Sequence, residues 1–600
     1  MLKQGIALLL CGIAGQAWSA NIIVTTTEDV VKADNECSLR EAVEYVNQGL
    51  PKAGYNGCGG EDSSSVIYLS SKEYKLNSQI TISKTVTIKT DYDTALTDNV
   101  LGKKNAVIKM VGTDRIFNLD RKANTTVNTT EDGKKDALID VLLYEVSLNG
   151  CDATLCKDQG GLIYNKESLT IQYGQLLNGK AKQGGAIYTV GTTADDEFAA
   201  ALIDSSLIQG NQAQQGGVIY SEIPQYTVTK SVIRDNSATA SDGSLFYAAT
   251  GFSESDSAKI SSSFIRGIQS SSIFNNKGYI IRVMDGVMVN SVTMVLNSKG
   301  LIIDAPYNYG TVANSILANN GSEDCKVVAG GKADRLSNNL YAVGCAGTLS
   351  QALGNTQLIA SSNAEGECDI ASDGILCPFK PYDGYTLGYF RPRLLVNYKT
   401  LADSLVVNKG PSSSGDIMAC DAADQREKTR PSNDELCDRG AIELIVDRTT
   451  VSNVGADILY GEKGKFSIAN QLVDGELLSP SQCQTLFGDN PHGQAWQAGC
   501  LKIVQTNTPS KGSFNISQDG DMVYTPNGDW HGSDEFKILV VTSTTRFSDS
   551  LNPYIEIPGK IVQDPPNTFK DYKVKTSGGA WGFAGILGLL GLIGLRRIRR

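Results

Sequence analysis

Histidine is almost missing from this chain of 600 residues, with His492 and His531 the only two, and none of the 13 cysteines stands in a Cys-x-x-Cys pair. Those shortages argue against a zinc centre, which would gather such ligands at short spacing. They also leave everything upstream of His492 without an imidazole for acid–base work. Positive charge is short as well: 54 Lys and Arg against 65 Asp and Glu leave a net charge of −11. A nucleic-acid partner would demand a basic surface, so no nucleic acid is expected. No nucleophile elbow and no phosphate loop occurs, and no Arg-x-Pro-x-x-Arg arrangement appears. Long apolar runs are found only at the two ends.

The first of those runs follows Lys3, extends from Ile6 through Ile13, and closes in small residues at Ala17-Trp18-Ser19-Ala20. One positive charge, a short apolar core and a small-residue cut site predict a secretory signal peptide over 1–20. The second run, Ala580 to Leu595, follows Ser577-Gly578-Gly579 and ends in Arg596-Arg597-Ile598-Arg599-Arg600. As a helix it would span about 24 Å, short but workable for a membrane with snorkelling arginines. Basic residues favour the cytoplasmic side, which predicts that everything before residue 577 lies outside the cytoplasm. The order of Gly-Gly pair, apolar helix and basic end resembles the GlyGly-CTERM sorting tails of Gram-negative bacteria. That resemblance implies a rhomboid-type sorting protease cutting near Gly578 and Gly579, export by the secretion machinery, a transient inner-membrane anchor, and delivery to the cell surface or beyond.

Removal of Cys11 with the signal leaves twelve cysteines, an even number in a disulfide-permissive compartment. Neighbours in sequence are the expected pairs: Cys37 with Cys58, Cys151 with Cys156, Cys325 with Cys345, Cys368 with Cys377, Cys420 with Cys437, and Cys483 with Cys500.

The middle of the chain repeats. Gly160-Gly161-Leu162-Ile163-Tyr164 returns as Gly184-Gly185-Ala186-Ile187-Tyr188, as Gly216-Gly217-Val218-Ile219-Tyr220, and as Gly243-Ser244-Leu245-Phe246-Tyr247. A second element begins at Ser206, Ser231, Ser263, Ser291 and Ser315, with spacings of 25, 32, 28 and 24 residues. Periods of that size with short apolar strands between Gly, Asn and Ser predict a stacked β-solenoid. Glycine and asparagine would turn its corners, since both tolerate left-handed backbone.

Cys37-Ser38-Leu39-Arg40-Glu41-Ala42-Val43, followed by Val66-Ile67-Tyr68-Leu69 and Ile80-Thr81-Ile82, resembles the CSLREA domain that opens bacterial right-handed β-helices. The glycine-pair repeats resemble those of polymorphic outer-membrane proteins. Leu39, Ala42, Val43 and Val46 share one helical face, predicting a short helix that covers the open end of the solenoid. Arg40 and Glu41 are expected to make a capping ion pair or to face solvent. Further on, Cys420-Asp421, Asp424-Gln425-Arg426, Arg430-Pro431 and Cys437-Asp438-Arg439-Gly440-Ala441-Ile442-Glu443 are similar to the closing segment called choice-of-anchor Q. Here Glu427 replaces the usual glycine and Arg439 the usual apolar residue, and an ion-pair latch stapled by Cys420 and Cys437 is expected.

From Val446 the repeat gives way to alternating strands around Phe514, Ile516, Val523 and Phe536, which resemble immunoglobulin- or cadherin-like repeats. No cofactor is expected; calcium is the one ion that Asp519, Asp521, Asp529 and Asp534 could hold, turn-forming aspartates being the plainer reading. The expected fold is therefore all-β. It comprises a signal peptide (1–20), a right-handed parallel β-helix of pectin-lyase-like type (21–445), a β-sandwich (446–559), a linker (560–576), and a sorting tail with a transmembrane helix (577–600).

Such solenoids also host polysaccharide lyases and glycoside hydrolases, so fold alone does not decide between catalysis and binding. Cleavage of a glycan needs paired carboxylates, or a base beside a neutralising group. Asp204, Asp235, Asp285 and Asp304 are the candidates, but corner positions explain them equally well. The expected function is thus a non-catalytic surface protein, adhesin-like, with a glycan or cell-surface ligand and no catalytic residues.

Overall fold

The computed structural model describes residues 20–91, 104–123, 137–191, 198–253, 266–343, 353–358, 375–379, 389–392, 404–411, 418–431, 436–443, 454–468, 480–490, 500–517, 520–541 and 554–566. The chain divides into two compact units, one of residues 1–451 with 472–507 and 537–557, the other of residues 452–471, 508–536 and 558–600.

The first unit is built on three long parallel sheets of 11, 11 and 9 strands, with the chain visiting one after another and then returning to the first. That order is a β-solenoid. It begins at the strand Ala20–Ile23 and continues to Thr356–Gln357, well beyond the part where the repeat is visible in sequence. Each coil pairs with the next in strict register. In the third sheet Ile163 lies over Ile187, Ile219 and Phe246, and Tyr164 over Tyr188, Tyr220 and Tyr247. The inward row of the second sheet, Leu176, Ile208, Ile233, Ile273, Met294 and Leu317, is wholly buried. Register is fixed this tightly because a slip of one residue would turn every inward side chain to the solvent face.

The glycine pairs make the close stacking possible. Gly185 lies so near the next coil that a Cβ there would come within 2.1 Å of the Gly217 carbonyl oxygen, and its neighbour Gly184 has φ +68°. Any larger residue in this pair would force two coils apart.

An asparagine relay runs inside the corner between the second and third sheets. The Asn211 side-chain amide donates to Asn236 Oδ1 at 3.0 Å, Asn236 to Asn276 at 3.1 Å, Asn276 to Asn297 at 2.9 Å, and Asn297 to Asn320 at 2.9 Å. Asp324 ends the series: its carboxylate accepts from Asn320 Nδ2 and from the backbone of Asn320, Ala342 and Val343. Each amide also donates to a carbonyl one coil below, as Asn276 does to Ile233 at 3.0 Å. Buried polar groups are thereby satisfied in a continuous chain, whose aligned dipoles reinforce one another.

This relay corrects the serine register. Ser206, Ser231, Ser271 and Ser315 occupy equivalent places, because they precede the paired strands Leu207–Gln209, Val232–Arg234, Ser272–Phe274 and Ile316–Ala318. Ser263 lies outside the described residues, and in the fourth coil Val292 takes the place assigned to Ser291. The relay asparagine stands five residues after each true member, as Asn276 does after Ser271, whereas Ile268 follows Ser263 at that spacing.

At the N-terminal end the helix Leu39–Asn47 is closed by a capping box between Ser38 and Glu41. Its burial is wider than one face, for Glu41, Tyr45 and Asn47 are enclosed together with Leu39, Ala42, Val43 and Val46. Arg40 pairs with Asp29 at 2.7 Å, not with Glu41, whose carboxylate takes the Ser38 and Lys32 amides. Asn47 donates to Thr81 O and accepts from Ser83 N, both at 2.9 Å, which satisfies the free edge of the third sheet at its terminal strand Ile80–Ile82. The helix thus blunts an edge that would otherwise template further pairing.

In the second unit, Gly464–Ser467, Asp521–Pro526 and Gly512–Ile516 form an antiparallel sheet in that order, and Val454–Ile458 runs parallel to residues 559–563. Phe466, Phe514, Tyr524 and Phe536 form its aromatic cluster. The strand Tyr554–Gln563 carries four residues past the boundary at 559, into the segment read as linker. A short helix, Pro480–Phe487, falls in the part of residues 446–559 that clusters with the first unit. Bridges join Cys37 to Cys58, Cys151 to Cys156, Cys420 to Cys437 and Cys483 to Cys500. Cys325 is also disulfide-bonded, while Cys345 and Cys368 lie outside the described residues. Among the described residues no helix is long and apolar enough to cross a membrane, and the tail 577–600 lies outside them.

Two outcomes test this architecture. Asn276→Ala breaks the relay in its middle and leaves the Asn236 and Asn297 amides short of partners; a loss on the order of 3 kcal/mol is expected from denaturant unfolding of the exported chain. A cost below about 0.5 kcal/mol would mean that the relay is not a stabilising element. Non-reduced peptide mapping should assign Cys345 to Cys325 and Cys377 to Cys368; a bridge between distant coils would contradict the coil-by-coil register.

Candidate functional site

The corner between the first and second sheets turns through one left-handed residue per coil. These residues are Glu145, Tyr173, Ser205, Lys230, Ser270, Ser291, Asn314 and Asn338, with φ between 40° and 56°. Only the last two are asparagine and none is glycine, so local propensity did not mark the corner. Left-handed backbone costs most residues roughly 1–2 kcal/mol, which the stacked coils above and below must offset.

The closing segment lies lengthwise along this corner. Asn314 Nδ2 donates to Met418 O at 2.9 Å, Asn290 Nδ2 to Ala419 O at 2.7 Å, and Ser270 Oγ to Asp421 Oδ2 at 2.7 Å. Ser272 Oγ also donates to Gln425 Oε1. The segment therefore crosses several coils from the side. It is held in shape by the expected latch: Arg430 Nη1 meets Glu443 Oε2 at 2.8 Å and the Asp438 carbonyl at 3.0 Å, while Arg426 meets Asp424. Arg439 is buried and donates to the Leu405 and Gly354 carbonyls, and burial lowers its pKa to about 10.

At the tip of the segment stands Glu427, itself left-handed with φ 65°. A glycine would hold this conformation without strain, and the glutamate gains contacts instead. Its Oε1 accepts from Tyr173 Oη at 3.1 Å, Ser205 Oγ at 3.4 Å and Lys230 Nζ at 3.1 Å. Lys230 also pairs with Asp204 at 3.0 Å, so one ammonium sits between two carboxylates. Beside it, Tyr144 and Tyr173 pack edge to face at 5.6 Å, and Lys89 lies 5.2 Å from the Tyr68 ring centre and 5.8 Å from that of Tyr144.

Electrostatics bear on what this cluster can do. Partial burial opposes the charge on Glu427, but Lys230 and the two hydroxyl donors outweigh it and hold the carboxyl below its ordinary value. Burial likewise opposes the Lys230 charge, and Asp204 and Glu427 overcome it, raising the ammonium pKa. Burial and Glu427 push the Tyr173 hydroxyl up to about 12. Glu427 and Lys230 are therefore charged at neutral pH. A general acid requires the opposite, a carboxyl kept protonated.

The other aspartates do not join this cluster. Asp235 accepts from Gln209 Nε2 at 2.9 Å at the far corner. Asp285 is buried and accepts the Tyr307 and Tyr309 amides at 3.1 and 2.8 Å. Asp304 pairs with Arg282. In the second unit Asp534 is buried, with both oxygens taken by Ser510, Lys511 and the Tyr524 hydroxyl at 2.7 to 3.1 Å, a structural role and not an open calcium ligand. Asp519 lies outside the described residues. Among the described residues no group of three or more His, Cys, Asp or Glu side chains is placed to hold a metal ion.

A second outward feature is the tyrosine ladder of the third sheet. Tyr164, Tyr188, Tyr220 and Tyr247 stack at 5.3, 5.1 and 5.2 Å. Their faces are spent on one another and, at the two ends, on Arg115 and Lys166 over Tyr164 and Arg282 over Tyr247, and Tyr188 is only 5% exposed. A cleft of about 470 Å³ beside the helix Leu39–Asn47 is lined by Arg40, Glu44, Asn47 and Tyr55 among others, but Arg40 and Asn47 already have partners within the cap. No protein-family model matches the chain, and no curated protein matches it.

A pH response follows from the docked segment. Burial pushes Asp421 up to about 6 from an ordinary 3.8, against the Ser270 hydrogen bond and Arg430. Burial and Asp438 push the Glu443 carboxyl up as well, against the Arg430 guanidinium. A carboxyl whose pKa is raised on folding stabilises below its unfolded value, and that contribution is lost as pH rises through the folded one. The urea midpoint should therefore fall between pH 5 and 7, with a smaller fall in Asp421→Asn. Equal slopes for the two proteins would show that Asp421 does not titrate in the docked state.

Proposed function

We propose that this is an exported, surface-delivered bacterial protein that binds a glycan or cell-surface ligand without cleaving it. In this reading the solenoid is a right-handed β-helix of pectin-lyase-like type with a CSLREA cap and a choice-of-anchor Q closing segment. The second unit belongs to an immunoglobulin- or cadherin-like sandwich, and the GlyGly-CTERM tail is a transmembrane sorting signal. Right-handedness is the rule for parallel crossover connections. The pairing of Val454–Ile458 with residues 559–563, first strand beside last, supports a self-contained sandwich.

One observation carries the preference for binding over catalysis. Where Asp204 and Glu427 approach the same lysine, Lys230 and two hydroxyl donors hold Glu427 ionised, so Glu427 is not the protonated carboxyl that glycan cleavage would need. A rigid solenoid with a laterally pinned closing segment offers instead long rows of side chains at fixed spacing.

Purified exported protein should bind in a screen of glycans and intact cells and should shorten no polysaccharide. Alanine at Asp235 or Asp304 should leave binding nearly intact, whereas Asp285 needs an asparagine, since alanine would strand two buried amides. Reproducible depolymerisation abolished by a single substitution at Asp204 or Glu427 would make the protein an enzyme. Replacing Gly578 and Gly579 should leave the protein in the inner membrane on fractionation; normal surface delivery of that variant would remove the sorting reading.

A further inference from the structure

The outward face of the first sheet carries one row beside the left-handed corner. Register places Tyr68, Lys89, Tyr144, Gln172, Asp204 and Thr229 on six successive coils. All six are partly exposed, Asp204 with 14% of its side chain. The row ends beside Glu427, whose Oε2 accepts no hydrogen bond among the described residues while Oε1 accepts three. Lys89 likewise makes no ion pair among the described residues; its contacts are the two tyrosine rings.

We infer that this row and the tip at Glu427 form a binding strip for an extended, neutral, β-1,4-linked polysaccharide, laid along the solenoid with about one sugar per coil. The inference rests on the binding reading and names its ligand class. Three observations lead to it. Adjacent coils are about 4.8 Å apart, nearly the advance per sugar of an extended β-1,4 chain, so each sugar would meet the same row of the next coil. The row alternates hydroxyl, ammonium, hydroxyl, amide, carboxylate and hydroxyl, which suits a ligand bearing donors and acceptors on every unit. Lys89 and Lys230 stand against Asp204, Glu427 and the corner residue Glu145, so the strip gives no net attraction to an acidic chain.

Glu427 supplies the specific anchor. A glutamate retained in a left-handed turn costs free energy that a glycine would not, and such outliers point to function when the side chain reaches a surface site. Here the fold fixes Oε1 on Tyr173, Ser205 and Lys230, which aims the other oxygen without further loss of side-chain freedom. The tyrosine ladder of the third sheet offers no equivalent, because Tyr188 is buried and the rings face each other.

Calorimetric titration of the exported protein with cellohexaose and chitohexaose tests this, with maltohexaose as a coiled α-1,4 control. At least one extended hexasaccharide should bind, and maltohexaose should not compete. Glu427→Gly suits the backbone and should keep the thermal midpoint while weakening binding about tenfold or more. Lys89→Gln, remote from the closing segment, should weaken it too, whereas Tyr220→Ala should not. Binding unaffected by Glu427→Gly and Lys89→Gln would overturn the strip, as would failure of both extended sugars. If other glycans or cells still bind the wild type, only the strip falls; if nothing binds, the binding reading falls with it.

Discussion

Everything in the first unit depends on coils stacking closely enough for backbone hydrogen bonds to pass between them. Backbone groups of one coil have few partners within that coil, so each must find them above and below. That requirement sets the glycine pairs, since a Cβ at Gly185 would collide with the Gly217 carbonyl. It also sets the asparagine relay, where a side-chain amide reproduces the same vertical pattern inside the core. Asp324 completes the relay because a carboxylate can accept at several points without needing to donate onward.

The same stacking explains why unlikely residues occupy the left-handed corner. Tyr173, Ser205 and Lys230 take a conformation that their own preferences oppose. The strands on either side fix the corner path, and the side chains are thrown outward as a row of similar geometry. The closing segment reads that row and the strand ends beside it: carbonyls meet Asn314 and the neighbouring Asn290, Asp421 meets Ser270, and Glu427 meets Tyr173 and Lys230. The segment clamps several coils from the side, and its tip lies beside the open row of the first sheet.

The second unit obeys a different constraint. It gathers aromatic rings around Phe514 and ties Tyr524 to Asp534, a buried carboxylate whose three other accepted bonds hold residues 510 and 511 against the strand that carries it. An acidic residue in such a loop invites a metal-ligand reading. The structure spends its oxygens on backbone and hydroxyl donors instead.

What the sequence determined by itself was whatever repeats at short range: the solenoid class, the Gly-Gly-apolar-Tyr register, the helix after Ser38, four disulfide pairs, and a latch stapled by Cys420 and Cys437, though not its Arg430–Glu443 pairing. Each is written in residues close in the chain or recurring at one period. Ser263 offers the same serine element as Ser271, because a serine before a β-rich triplet is a weak signal, and only the asparagine five residues on separates the two. Tertiary structure alone decided that Glu427 stands 197 residues from Lys230 in the chain yet within 3.1 Å of it. It also decided that Tyr68, Lys89, Tyr144 and Asp204 share one row. Coil lengths vary, so a row of side chains along the solenoid axis has no fixed period in the sequence; it exists only once the strands have paired.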